Sequence, residues 1–195
     1  MITIYWAGDS NVARNGRETE PQTGIGQVFE RYIDAERVRI ENHAGNGHST
    51  RSFIAAGCLD ALRERMRPGD FLFIQFGHND EKKEDPARYS DPEIDFPENL
   101  ALFVRAAREK SALPVLITPV TRLHRNAPEA KYRHDERAEG CRRTAKELGT
   151  VLVDLTKMSE ALVDETEEPA REALYLYLPA GVFPAYPGAN GTERT

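Results

Sequence analysis

The chain has 195 residues, of which 39% are hydrophobic and 30% are charged, and its net charge is −6. This length suits a single domain with its own hydrophobic core. The composition excludes a disordered chain, and nucleic acid is not an expected partner because its binding normally needs a clustered positive face. No stretch approaches the roughly 18 apolar residues of a membrane-spanning helix, so no membrane partner is expected either.

The start of the chain and its two cysteines bear on location. The first residues lead directly into a strand-like run and lack the basic and apolar regions of a secretory signal. Cys58 and Cys141 match no metal motif and no disulfide framework, and we interpret both as packing residues of a reduced protein. These features predict a cytoplasmic location, although a secreted protein whose signal has been removed would show them too.

Short apolar runs alternate with amphipathic segments along the chain. The apolar runs predict strands over residues 2–7, 38–42, 71–76, 114–118 and 151–154. The segments between them predict helices over residues 25–33, 52–66, 99–110, 132–148 and 155–166. This alternation is typical of a parallel sheet with helices on both faces. With right-handed crossovers, the expected fold is one three-layer α/β/α sandwich over residues 1–195, with a central parallel sheet of about five strands.

Two segments lack such a pattern. Residues 81–97 are charged and contain proline, and a long structureless segment often forms a lid or a binding rim. We interpret the acidic side chains here as a solvated rim and not as a metal site; they are Asp80, Glu81, Glu84 and Asp85. Residues 169–195 contain aromatic residues among glycine and proline, without helical or strand period, and could stack on sugar rings or pack against the sheet edge.

Polar residues follow the first three predicted strands. Ser10 follows the first, Gly47 lies after the second, and Asn79 lies after the third. The carboxyl ends of parallel strands meet at one edge, where α/β proteins bind ligands. A serine that attacks an ester needs hydrogen-bond donors for the oxygen that becomes negative, and a glycine N–H and an asparagine amide are suitable. Ordinary explanations are also open: Ser10 or Asn79 as a capping side chain, and Gly47 as a residue needed only for positive φ.

These blocks resemble the motifs of the SGNH (GDSL-type) hydrolases, in particular the rhamnogalacturonan acetylesterase-like branch. The matching blocks, in family order, are Ala7-Gly8-Asp9-Ser10, Asn42–Phe53, Gln75-Phe76-Gly77-His78-Asn79-Asp80 and Leu116–Arg122. The resemblance implies a three-layer α/β/α hydrolase with Ser10 as nucleophile. It also implies an oxyanion hole made of the Ser10 N–H, the Gly47 N–H and the Asn79 side chain. Gly47 is preferred to Gly45 because the family glycine precedes an Arg-Ser pair, which His48-Ser49 replaces here.

The fourth block of that family, Asp-x-x-His near the C-terminus, is absent from this sequence. If Glu193-Arg194-Thr195 stands where Asp-x-x stands, Glu193 would orient the base, and the sequence would stop one residue before the histidine. None of the five histidines matches the family's base; they are His43, His48, His78, His124 and His134. The sequence therefore predicts either a C-terminally shortened esterase or an inactive relative.

The leading hypothesis is a serine esterase that deacetylates plant cell-wall oligosaccharides of the pectin or rhamnogalacturonan type through an acetyl-serine at Ser10. No metal or cofactor is expected, because the oxyanion hole takes the place of a Lewis acid. Two alternatives stay open. One is a catalytically incomplete carbohydrate-binding relative, and the other is a generic short-chain lipase or thioesterase of the same superfamily.

Overall fold

The computed structural model describes residues 1–123, 135–187 and 190–191. Its central strands are β1 (Ile2–Gly8), β2 (Val38–Asn42), β3 (Phe71–Gln75), β4 (Leu113–Ile117) and β5 (Val151–Val153). They form one parallel sheet in the order β2-β1-β3-β4-β5. The predicted parallel sheet of about five strands is confirmed.

Helices connect these strands. They are α1 (Ile25–Val28), α2 (Thr50–Ala55), α3 (Cys58–Arg65), α4 (Asp95–Glu109), α5 (Asp135–Glu147), α6 (Leu155–Glu165) and α7 (Ala170–Ala173). Single 3-10 turns cover Arg17–Thr19 and Phe29–Tyr32. The helical prediction over residues 132–134 lies outside the described residues.

Three element boundaries differ from the predictions. The helix predicted over residues 52–66 breaks at Gly57, whose φ of 74° lies in the left-handed region and separates α2 from α3. Helix α4 begins at Asp95, inside the segment that we expected to lack structure. The C-terminal segment holds α7 and an antiparallel pair, β6 (Tyr177–Leu178) with β7 (Asn190–Gly191). Strands of two residues are too short to produce a period in the sequence.

The sheet separates two hydrophobic cores. Alternate residues of β1 face opposite sides, with Tyr5 and Ala7 in one core and Ile4 and Trp6 in the other. The first core lies against α2, α3, α4 and α5 and contains a set of fully buried side chains: Phe53, Leu62, Phe76, Phe103 and Leu116. The second core packs Trp6 edge-on against Phe29 and Phe73, at centroid distances of 5.5 and 5.0 Å. Helices on both faces therefore complete the three-layer sandwich.

Both cysteines are free thiols, as the sequence indicates. Cys141 is buried in the first core, and this burial raises the pKa of its thiol to about 12. Cys58 packs at the border of the same core, which agrees with the interpretation of both as packing residues. Among the described helices, none has the length and apolar character that crossing a membrane would need.

Candidate active site

A tight turn carries Ser10 beyond the carboxyl end of β1. Val12 N and Ala13 N donate to the carbonyl oxygen of Asp9 at 3.1 and 3.0 Å and close this turn. A side chain at Gly8 would come within 2.6 Å of Val12 and 2.8 Å of the Gln75 carbonyl oxygen. Glycine at this position therefore lets the strand end close to β3 and turn. Ser10 itself remains half-buried at the edge of a cavity.

Beside Ser10, a buried network orients the ring of His78. Asp9 is fully buried, and its Oδ1 accepts from Asn11 N at 2.9 Å and from Asn11 Nδ2 at 3.1 Å. The second hydrogen of that amide points to His78 Nδ1, 2.9 Å away. His78 Nδ1 also lies 3.4 Å from Asp9 Oδ2, so both Asp9 and Asn11 face this side of the ring.

The second loop, after β2, carries Gly47. Its φ is 81°, and the space around it is open, since a β-carbon added there would have Arg88 Nη1 as its nearest neighbour, at 3.8 Å. The glycine is thus required by backbone conformation and not by crowding. The third loop, after β3, reaches this one through Asn79, whose Nδ2 donates to the His48 carbonyl oxygen at 2.9 Å. One hydrogen of that amide is engaged there, which leaves the other for a ligand.

The structure brings the three predicted site residues to one cavity of about 240 Å³. Ser10, Gly47 and Asn79 line it, together with Asn11, Gln22, Asn46, His78, Lys82, Arg88 and Arg122. His43 and His48 are not among these described lining residues, whereas His78 is. The remaining predicted candidates, Glu193, His124 and His134, lie outside the described residues.

Three cationic side chains border the cavity, which we call the positive rim: Lys82, Arg88 and Arg122. Arg88 Nε lies 2.5 Å from Asp85 Oδ2, and Arg122 Nη1 lies 3.1 Å from Glu81 Oε2. Arg122 also donates to the carbonyl oxygen of His78 at 3.3 Å. The positive rim escaped the sequence analysis because its members come from two separate loops and form no basic run.

The predicted solvated rim is wrong for Asp80, which has no exposed surface. Its carboxylate accepts from Thr50 N at 3.1 Å and from Thr50 Oγ1 at 2.5 Å. Burial raises the pKa of this carboxyl to about 6, against the opposing effect of hydrogen bonds from Thr50 and Ser90. Glu81 and Asp85 are only partly exposed, and each pairs with a cation of the positive rim.

The segment over residues 81–94 is attached to the body of the protein at several points. Ser90 is fully buried, and its N–H donates to the Asp80 carbonyl oxygen at 3.1 Å. Arg51 Nε donates to the Tyr89 carbonyl oxygen at 2.7 Å. Buried Arg137 donates to the carbonyl oxygens of Asp80 and Ser90 at 2.9 and 2.7 Å. In the part of the chain that the structure describes, no group of three or more His, Cys, Asp or Glu side chains could hold a metal ion.

Comparison with known proteins agrees with this fold. Residues 7–184 match the GDSL-like lipase/acylhydrolase family. The match covers most of the chain, and the chain belongs to this family of ester hydrolases.

Its relatives include two proteins of Bacillus subtilis strain 168. Rhamnogalacturonan acetylesterase RhgT is 36% identical over 188 residues, which are 95% of this chain and 78% of that protein. Probable rhamnogalacturonan acetylesterase YesY is 36% identical over 174 residues, covering 89% of this chain and 78% of that protein. Among solved structures, the YxiM protein of Bacillus subtilis superposes with a TM-score of 0.72 at 28% identity. That superposition covers 89% of this chain but only 49% of the YxiM chain.

Proposed function

We propose that this protein is a serine carbohydrate esterase that removes acetyl groups from acidic, pectin-type oligosaccharides. The observation that carries the proposal is the meeting of Ser10, Gly47 and Asn79 around one cavity beyond the carboxyl ends of β1, β2 and β3. The two relatives named as rhamnogalacturonan acetylesterases support the substrate class. Cytoplasmic location and single-domain organisation stay predictions from the sequence.

In the proposed reaction, Ser10 Oγ attacks the acetyl carbonyl carbon and forms a tetrahedral intermediate. The negative oxygen accepts hydrogen bonds from the backbone N–H groups of Ser10 and Gly47 and from Asn79 Nδ2. Each such donor is typically worth about 2.7–4 kcal/mol in the transition state. Collapse of the intermediate releases the sugar hydroxyl, and water then hydrolyses the acetyl-serine to acetate.

The proton of Ser10 needs a base, and none of the three described histidines matches the family's base in sequence. His78 Nδ1 faces Asn11 and Asp9, while His43 contacts Glu41 and His48 contacts Ser52, each at 3.4 Å. We therefore assign the base to the histidine of the family's Asp-x-x-His block, which would follow Glu193-Arg194-Thr195 in the proposed alignment. Glu193, as the acid that orients this base, stays part of the proposal.

The lining of the cavity supports an acidic sugar over a fatty acyl chain. None of its described lining residues is aliphatic or carries a phenyl ring, which disfavours the lipase alternative. The positive rim suits a substrate that carries carboxylates, as galacturonan does.

The test is acetate release from p-nitrophenyl acetate and from acetylated pectin oligosaccharides. The assay compares the 195-residue chain, a form extended through the following codons of its gene, and Ser10→Ala in each. Turnover that Ser10→Ala abolishes supports the esterase, and preference for long-chain esters would support the lipase alternative instead. Oligosaccharide binding without turnover in either form would identify the carbohydrate-binding alternative.

A further inference from the structure

The buried Asp80 joins the two loops that carry the proposed oxyanion donors. Its Oδ1 lies 3.1 Å from Thr50 N and 2.5 Å from Thr50 Oγ1, and its Oδ2 lies 3.3 Å from Thr50 N. Thr50 is the first residue of α2 and comes three residues after Gly47. Asp80 itself directly follows Asn79. One side chain therefore connects the chain just after the first donor to the chain just after the second.

A second hydrogen bond joins the same two loops. Asn79 Nδ2 donates to the His48 carbonyl oxygen at 2.9 Å, one residue after Gly47. With His48 and Thr50 both attached to the loop after β3, the Gly47 N–H is held at a defined distance from the Asn79 amide. A shift of about 1 Å between such groups can cost about 100-fold in rate.

The surroundings of Asp80 keep its carboxylate in place. Asn99 Nδ2 donates to Thr50 Oγ1 at 3.0 Å, and Thr50 Oγ1 lies 3.3 Å from Ser90 Oγ. Arg137, from α5, donates to the carbonyl oxygen of Asp80 at 2.9 Å. Burying a carboxylate is unfavourable, and an apolar residue would fill this space at lower cost. A carboxylate accepts stronger hydrogen bonds than a neutral group, which favours a role in holding Thr50 firmly.

We propose that Asp80 is a positioning residue of the esterase, which sets the spacing between the Gly47 N–H and the Asn79 amide by holding Thr50. This inference rests on the proposed function, because it concerns the donors of that reaction. Asp80 acts through Thr50 and does not line the cavity.

The experiment measures kcat and KM for p-nitrophenyl acetate in the active form of the chain. For Asp80→Ala we expect kcat to fall about 100-fold while KM changes less than about twofold, since only the transition state uses the donors. Asp80→Asn should recover part of the rate, because its amide oxygen can still accept from Thr50, although more weakly than a carboxylate. Thr50→Val, which removes only the hydroxyl, should lower kcat about 10-fold. It also gives a milder test if Asp80→Ala does not fold.

The matched control is Asp70→Ala, at the opposite end of β3. Asp70 is also buried and accepts from the backbone N–H groups of Thr3 and Arg67, each at 2.8 Å. This variant should unfold at lower temperature and keep its kcat. Hydrogen exchange should become faster over residues 44–50 in Asp80→Ala and stay unchanged there in Asp70→Ala.

Each other outcome counts against a specific claim. An active wild type with unchanged kcat in Asp80→Ala would overturn the inference and leave the proposed function standing. An equal loss of kcat in Asp70→Ala would overturn it too, since general destabilisation would then explain both. An inactive wild type, in the extended form as well, would overturn the proposed function and the inference with it.

Discussion

A buried aspartate that accepts hydrogen bonds from backbone N–H groups lies near each end of β3, but the two aspartates join different parts of the protein. At the amino end, buried Asp70 accepts from Thr3 N and Arg67 N, and its carbonyl oxygen accepts from Leu113 N at 2.8 Å. At the carboxyl end, buried Asp80 accepts from Thr50 N. The Asp70 carboxylate joins the start of β3 to the start of β1. None of the described residues that line the candidate active-site cavity lies at this end of the sheet. The Asp80 carboxylate joins two loops that line this cavity. The position of a buried carboxylate along a strand thus decides whether it holds the fold or the site.

Serine substitutions at the two ends of the sheet should differ most in their effect on the rate of acetate release. Ser10→Ala removes the proposed nucleophile, and we expect acetate release to fall about 10⁴-fold or more without a change in melting temperature. Ser111→Ala is the control, because exposed Ser111 lies at the amino end, just before β4. Steady-state assays of both variants check this, and activity retained in Ser10→Ala would remove the basis of the proposed function.

Asn79→Ala should give the next largest effect. Loss of one oxyanion donor typically costs 10²–10³-fold in kcat, and we expect a decrease on the order of 100-fold with little change in KM. The variant also loses the contact to the His48 carbonyl oxygen. A rise in KM at constant kcat would instead mean that Asn79 binds the ground state of the substrate.

The positive rim gives a smaller and more selective effect. Arg88→Gln should raise KM for an acetylated oligogalacturonate about 10-fold, which corresponds to one charge-assisted hydrogen bond. It should leave p-nitrophenyl acetate turnover unchanged, because that substrate has no carboxylate. The matched control is Arg67→Gln, at the amino end. Equal effects on both substrates would contradict a role of the rim in selecting acidic sugars.

The smallest expected effect is a pH dependence of stability. The pKa of Asp80 is about 6 in the folded protein and 3.8 as its ordinary value, because burial disfavours the charge and nearby Asp9 adds to this. The folded state therefore binds more protons than the unfolded state between these pH values, and stability falls as pH rises from about 4 to about 6. The hydrogen bonds of Arg137 go to the carbonyl oxygens of Asp80 and Ser90, while Thr50, Ser90 and Asn99 have neutral side chains.

Thermal melts of wild type and Asp80→Asn over this pH range provide the measurement. We expect the melting temperature of wild type, relative to Asp80→Asn, to fall by a few °C between pH 4 and pH 7. A difference that is constant with pH would mean that Asp80 does not change its protonation state there.

The sequence predicted that three residues following strand ends would come together at the candidate site, and the structure brings them to one cavity. Ser10, Gly47 and Asn79 follow strand ends within two to five residues, and the parallel fold brings such positions together. The burial of Asp80 could not be predicted in this way, since it depends on Thr50 and on residues that come from other segments. From the sequence alone, a charged loop is expected to be exposed to solvent, even when other segments of the fold bury one of its residues.

Prediction of the secondary-structure elements from the sequence met the same limit, because it detects local patterns and not contacts between distant residues. Strand positions were predictable because each strand is a local apolar run bounded by turn residues. The start of α4 at Asp95 was not, because it lies within a charged and proline-containing stretch whose order depends on distant residues. Arg51, from α2, donates both to Asp95 and to the Tyr89 carbonyl oxygen. Such contacts between distant residues cannot be predicted from a local sequence pattern.

The free thiols provide a practical probe of the folded state. Burial raises the pKa of the Cys141 thiol, so little of the reactive thiolate is present at pH 7. Cys58 is partly exposed at the start of α3. An alkylating reagent should therefore modify one cysteine in the native protein and the second only after the first core opens. Counting modified thiols by mass would then measure global opening in samples too dilute for calorimetry.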